Sequence, residues 1–370
     1  MGALAQDSPI WPSVTTRKSY LTLPSPSSRS AFNASAFAAL LQTSALNLKD
    51  YVWTEQERPL IAHNQFDDDE MIPVIDMGAF TQGPTAMSTV DRQKAQRSVA
   101  TQMAKASQEW GFFQVTNHGV PEDLIKEMER HARDFFEVLK PEEKRRILRD
   151  GNAGKPMGYA CGGAGTRLKS DIPWIESLHL PSVAEEMEAY AWRVWQDGNK
   201  DFRRVVKEFS RAMGRVTMKV MEVLLGELVA AGMVGPQKEK EREMMRRKVE
   251  EGVGSCCSNS VVRLNYYPPC PQPALTLGLG AHSDPHLLTL LHQDLVGGLQ
   301  ICKDGLWMAI RPKPNALVVN IGDVLQVWSN DVYKSVEHRA GFSQSLLGVI
   351  TGFFDDFMAF ISNGVECAML

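Results

Sequence analysis

The 370-residue sequence has no Cys-x-x-Cys pair, no long apolar run and no excess of basic charge, and each absence excludes something. The six cysteines stand at 161, 256, 257, 270, 302 and 367, with one pair directly adjacent. That spacing suits neither a zinc knuckle nor an unstrained disulfide, so they read as reduced thiols of an intracellular protein. No apolar stretch approaches the roughly 18 residues that a membrane-spanning helix needs, so a soluble chain is expected. Forty basic residues against forty-four acidic ones give a net charge of -4. A protein that neutralises many phosphates carries the opposite balance, so nucleic acid is not an expected partner. Acidic residues are scarce at the start, where Asp7 is the only one in the first 49. Residues 21–35 are rich in Ser and Pro, and Gln6 stands where a myristoylation signal needs Ser or Thr. This start reads as a polar extension of a cytoplasmic protein, with a plastid transit peptide as the alternative.

What is present changes texture along the chain. Residues 1–70 show little periodicity and end in the acidic cluster Asp67, Asp68, Asp69, Glu70. Residues 72–76 read as a short strand with Pro73 near its start. Val99, Met103 and Ala106 recur at helical spacing before a second strand over 111–115, which Asn117-His118-Gly119 closes with turn chemistry. Pro121 opens a helix in the position where its missing N–H is tolerated, with Leu124, Met128, Ala132, Phe135 and Leu139 as the buried stripe. Pro141 opens a shorter helix. Residues 151–170 hold six glycines and read as a loop, followed by helical patterns to about residue 231. The mixed-charge run 237–251 reads as a solvated helix face. Short strands are expected at 261–267, 287–291, 299–302, 307–310, 316–320 and 324–328, separated by turn residues. Six short strands at that spacing suggest a sandwich or jelly roll, with the preceding helices packed outside it.

Three residues carry a specific chemistry. His282 and Asp284 are two apart, and side chains two apart on a strand share a face. His338, from a neighbouring strand, would complete a set of two imidazoles and one carboxylate. That set suits non-haem Fe(II) with open positions for oxygen chemistry. Two further histidines lie close by, of which His292 reads as a polar cap at a strand end.

The surrounding motifs extend this reading. Arg263-Leu264-Asn265-Tyr266-Tyr267-Pro268-Pro269-Cys270 runs into Gly280-Ala281-His282-Ser283-Asp284-Pro285, then 292–300, Asn320-Ile321-Gly322-Asp323 and Tyr333 to Arg339. Upstream stands Trp110-Gly111-Phe112-Phe113-Gln114-Val115-Thr116-Asn117-His118-Gly119. Over residues 50–340 this succession resembles the plant 2-oxoglutarate and Fe(II)-dependent dioxygenases, and within them the gibberellin 20-oxidase group. Three segments point to that group: 51–59, 264–270, and 171–177, where Pro173, Trp174 and Glu176 match its Leu-Pro-Trp-Lys-Glu-Thr motif.

The resemblance implies a mixed α and β fold with a double-stranded β-helix (jelly-roll) core and flanking helices. It divides the chain into an extension (1–70), a mostly helical N-terminal dioxygenase region (71–254), the Fe(II)/2-oxoglutarate core (255–340) and an atypical tail (341–370). It implies that His282, Asp284 and His338 hold iron and that Asn265 and Tyr267 bind 2-oxoglutarate, the Tyr267 hydroxyl donating to it. The co-substrate would chelate the metal through its keto and C1 carboxylate oxygens and leave a position for O2, with ascorbate supportive. No catalytic side chain beyond the metal ligands is implied, since the metal carries the oxidation and the protein positions the substrate. Trp174 and Leu178 would line the entrance above the metal. The implied substrate is a small plant metabolite, a gibberellin intermediate first, on a monomer that meets neither nucleic acid nor membrane. A flavonoid or other specialised-metabolite dioxygenase and a catalytically impaired truncated isoform are the alternatives.

The chain also departs from that pattern. Relatives place an Arg-x-Ser motif shortly after the distal histidine, its guanidinium forking onto the C5 carboxylate of 2-oxoglutarate. The corresponding positions here are Gly348 and Ile350, and residues 340–370 contain no Lys or Arg. Relatives carry Arg263 beside the usual arginine, so it is not expected to replace it. The last strand and the C-terminal helices are expected to be missing, leaving a sheet edge unpaired and the chain poorly active or inactive. A gene-model error or an alternative transcript is the simplest source of the sequence after Ala340.

Overall fold

The computed structural model describes residues 51–58, 66, 72–83, 87–149, 157–162, 172–181, 184–195, 197–232, 261–268, 270, 272–341 and, as backbone, 346–353. Most of the expected extension, the charge run 237–251 and the tail beyond 353 lie outside these residues. In chain order the elements are β1 (Val74–Asp76), α1 (Gly78–Thr81), α2 (Thr89–Glu109), β2 (Phe112–Thr116), α3 (Glu122–Arg133), which runs on as a π-helical turn (Asp134–Val138), and α4 (Pro141–Arg145). Then come β3 (Gly158–Cys161), β4 (Glu176–Pro181), α5 (Ala184–Val194), α6 (Lys200–Ala230), β5 (Val261–Tyr267), β6 (Leu279–His282) and β7 (Leu288–Gln293). The last are β8 (Leu299–Lys303), β9 (Leu306–Ala309), β10 (Leu317–Ile321), α7 (Asp323–Trp328), β11 (His338–Ala340) and β12 (Leu346–Phe353).

The strands form two sheets. Eight are ordered β1-β2-β10-β7-β12-β5-β4-β3, and four are ordered β6-β11-β8-β9. Among the described strands, β1–β2 is the one parallel pair. Alternation along the large sheet separates two faces. Val262, Leu264, Leu288, Leu290, Val319 and Leu178 belong to the main apolar core with the helices. The intervening residues Arg263, Asn265, Thr289, Leu291 and Asn320 line a cavity instead. Helix α6 carries the largest share of the helical core, with Val205, Phe209, Met213, Val220 and Leu224 all inaccessible.

Three sequence expectations are corrected. Residues 324–328 are helical, because the Asp323 and Val324 N–H groups are taken by the Asp284 and His286 carbonyls and the Gln326 N–H returns to Gly322 O. The glycine-rich stretch contains β3, and the helical pattern expected to follow it begins with a strand, β4. Strands from both the N-terminal region and the core segment therefore share one sheet. His292 is the next-to-last residue of β7, near the strand end as expected, and its Nε2 meets Glu129 Oε1 on α3 at 2.6 Å. The final strand is also present. β12 sits between β5 and β7, pairing with both, so the edge expected to be open is filled.

A buried ion pair ties the helical layer to this sheet. Lys144 Nζ lies 2.9 Å from Glu176 Oε2 and donates to Phe136 O at 2.6 Å. The Tyr159 hydroxyl donates to the same carboxylate oxygen. Burial and the neighbouring Glu176 charge push that hydroxyl far above its ordinary pKa, so it stays a donor. Glu176, one of the three residues matching the gibberellin-oxidase motif, thus anchors β4.

Candidate metal centre and cavity

The antiparallel β6–β11 pair sets His282 directly opposite His338, with ring centroids 4.3 Å apart. Asp284 follows β6 in a loop. Its Oδ1 lies 3.7 Å from His282 Nε2 and 3.8 Å from His338 Nε2. These separations are too long for hydrogen bonds and short enough for one ion to bridge. The three donor atoms all fall within 4.8 Å of one another.

Each donor is oriented from behind. His282 Nδ1 donates to Gly280 O at 2.9 Å and His338 Nδ1 to Val336 O at 3.1 Å. A carbonyl only accepts, so both Nδ1 atoms carry the proton and both Nε2 lone pairs face Asp284. Asp284 Oδ2 accepts from Thr289 Oγ1 at 2.6 Å and from Asn320 Nδ2 at 2.8 Å, which turns Oδ1 toward the histidines. Burial lowers the His282 pKa to about 4, so the ring is neutral, as a ligand must be. Burial pushes the Asp284 carboxyl up, but His338, His282 and the Thr289 hydroxyl outweigh it and hold the group well below the usual carboxylate range. Two imidazoles and an ionised carboxylate, each fixed by a second hydrogen bond, fit a divalent cation of the Fe(II) type.

Gly322 explains why the loop carrying Asp284 can lie where it does. A Cβ there would come within 2.0 Å of His286 O and 3.0 Å of Asp284 O. Gly322→Ala is expected to displace this loop, lowering metal affinity about ten- to a hundredfold, as losses around a metal's ligands commonly do. Calorimetric titration with Mn(II) would measure it.

The cavity opens between the two sheets and encloses about 940 Å³, counting the part open to solvent. All three metal-site residues line it, and so do Arg263, Asn265 and Tyr267, which share one face of β5 as their spacing predicts. Arg263 Nε donates to Asn265 Oδ1 at 2.8 Å, and Asn265 Nδ2 approaches the Tyr267 hydroxyl at 3.4 Å. Burial pushes the Tyr267 hydroxyl up to about 12, so it is a donor at any working pH.

Trp174 and Leu178 do not line this cavity. Both are buried in the main core, and Trp174 Nε1 donates to Pro268 O at 3.0 Å while its ring meets Tyr51 edge-on. On β4 the cavity face carries His179, directly opposite Arg263, and Leu178 points to the helical side. Sequence reasoning gave no role to His179, Thr289 or Asn320. The alternation Ser177, Leu178, His179, Leu180 was the available signal for the first.

Comparison with known proteins places this geometry. Residues 258–344 match the 2OG-Fe(II) oxygenase superfamily, and residues 72–198 match the family described as non-haem dioxygenase in morphine synthesis N-terminal. Gibberellin 20 oxidase 1 of Arabidopsis thaliana is 35% identical over 81% of the chain and 74% of its own length. The chain is a 2-oxoglutarate/Fe(II)-dependent oxygenase. Among other relatives of this oxygenase, Gibberellin 2-beta-dioxygenase 5 of Oryza sativa is 35% identical over 82% of the chain and 79% of that protein. The crystal structure of JOX2 in complex with 2OG, Fe and JA superposes with a TM-score of 0.63 at 25% identity, covering 85% of this chain and 82% of that one. The oxygenase uses Fe(II) and 2-oxoglutarate, and no described helix is long and apolar enough to cross a membrane.

Proposed function

We propose that this oxygenase oxidises a gibberellin intermediate, the reading carried by its likeness to gibberellin oxidases across both matched regions. In it, His282, Asp284 and His338 hold the metal, and Asn265 and Tyr267 contact the co-substrate on β5. Bound Fe(II) supplies oxidation of an unactivated C–H bond, coupled to conversion of 2-oxoglutarate and O2 to succinate and CO2. The two sheets form the jelly-roll core, and their inner faces exclude water from the reacting carbon. Leu279, Leu291, Leu299, Val318 and Ala340 give the cavity an apolar wall that suits a hydrocarbon skeleton, and its few polar groups orient the ligand.

The test is succinate formation by the full chain with Fe(II), 2-oxoglutarate and ascorbate. Gibberellin intermediates are expected to raise it at least tenfold over the no-substrate rate, with flavanones giving no increase. Stimulation by flavanones with none by gibberellins would overturn the substrate class and leave the metal site standing.

A further inference from the structure

We infer that Arg263 is the anchor for the C5 carboxylate of 2-oxoglutarate in this chain, replacing the arginine that relatives carry on the last strand. The inference rests on the co-substrate of the family and not on the gibberellin reading.

The backbone register makes the replacement geometrically direct. Gly348, the position of the missing arginine, pairs with Asn265, and Ile350 pairs with Arg263. Residue 263 is therefore the diagonal cross-strand neighbour of residue 348, on the same face of the sheet. Such diagonal positions lie about 7–8 Å apart, within reach of a long side chain. A guanidinium on β5 can thus serve the space that one on β12 serves in relatives.

The state of that guanidinium agrees. Arg263 lines the cavity, and Asp284 is the one acidic side chain among the described lining residues. Asp284 is already committed to the two histidines, Thr289 and Asn320. The Nε of Arg263 is fixed by Asn265, while its two Nη groups make no hydrogen bond or ion pair among the described residues. What remains is the end-on fork that matches a carboxylate with two parallel bonds. A cation so placed, beside an apolar wall and with no ion pair among the described residues, suits an anion as partner. The other arginine lining the cavity, Arg339, has a buried Nη2 without a hydrogen-bond partner but is held by two contacts on β8 and β9. Arg339 Nε donates to Gln300 Oε1 at 2.8 Å, and its guanidinium lies 4.0 Å over the Trp307 ring.

The test is anaerobic calorimetry on the full chain loaded with Mn(II), titrated with 2-oxoglutarate and with 2-oxopentanoate, which has the same chain without the C5 carboxylate. The wild type is expected to bind 2-oxoglutarate about a hundredfold or more tighter than 2-oxopentanoate. Arg263→Gln should remove that preference while leaving Mn(II) affinity unchanged, and Arg263→Lys should recover part of it. Adding Gly348→Arg to Arg263→Gln should restore the preference, an outcome a merely structural role for Arg263 would not give. Unchanged 2-oxoglutarate affinity in Arg263→Gln, or a wild type that binds both acids equally, would overturn the inference. The wild-type comparison decides even if a variant fails to fold. A failed gibberellin assay leaves this result untouched, since no gibberellin is used.

Discussion

Asp284→Ala is expected to lower Fe(II) affinity by more than about a hundredfold, beyond the ten- to hundredfold typical of residues that only support a ligand. Asp284 is the hub of the centre, with its two oxygens facing different tasks. Oδ1 faces both Nε2 atoms, and Oδ2 is held by Thr289 and Asn320. Its removal takes one of three ligands and leaves two imidazoles opposed. The cost to the fold is smaller, about 1–3 kcal/mol for each polar partner left unsatisfied, because Asp284 contributes nothing to the apolar core. His282→Ala should behave alike. Metal titration with Mn(II) and thermal unfolding of the metal-free proteins separate the two effects. Wild-type metal affinity in either variant would refute the assignment of the centre.

A chain ended at Ala340 is expected to lose its folded state altogether. β12 is an interior strand of the large sheet, with seven register pairs to β5 and six to β7. Deleting it strips one ladder from the strand carrying Arg263, Asn265 and Tyr267 and one from the strand carrying Thr289. An unsatisfied buried backbone group costs about 1–3 kcal/mol, and a few of them consume the 5–15 kcal/mol by which a protein is stable. The exposed strand edges also favour aggregation. The expected outcome is insoluble protein or no cooperative thermal transition. A truncated chain that melts like the full one would show that β12 adds nothing.

These two results bear on what was legible beforehand. The candidate metal centre was readable from the two-residue spacing of His282 and Asp284 and from an antiparallel partner that could bring His338 across. However, β6 ends at His282, so Asp284 reaches the site from the following loop and not by the period-two rule of a strand. The face shared by Arg263, Asn265 and Tyr267 did follow from that rule. β12 was missed because the reading followed resemblance, which ends at Ala340, and not composition. Leu346-Leu347-Gly348-Val349-Ile350-Thr351 is rich in the branched residues that strands favour, whatever family it comes from. The helix over Asp323–Trp328 was hidden for the opposite reason. Val324 and Val327 suggest a strand, yet the loop bearing Asp284 occupies the backbone donors that begin the helical turn. Trp174 illustrates a third limit, since a motif can be shared for packing as readily as for substrate. Its indole is spent on Pro268 O, just past the end of β5.

The central claim is that one cavity between the two sheets holds the metal and the co-substrate together. A crystal structure of the full chain with Mn(II) and 2-oxoglutarate, the ion located by its anomalous scattering, tests it most directly. The expected result is one ion bound by His282 Nε2, Asp284 Oδ1 and His338 Nε2, chelated by the keto acid, with the far carboxylate on Arg263. An ion bound elsewhere, or a keto acid lying outside the cavity, would contradict it.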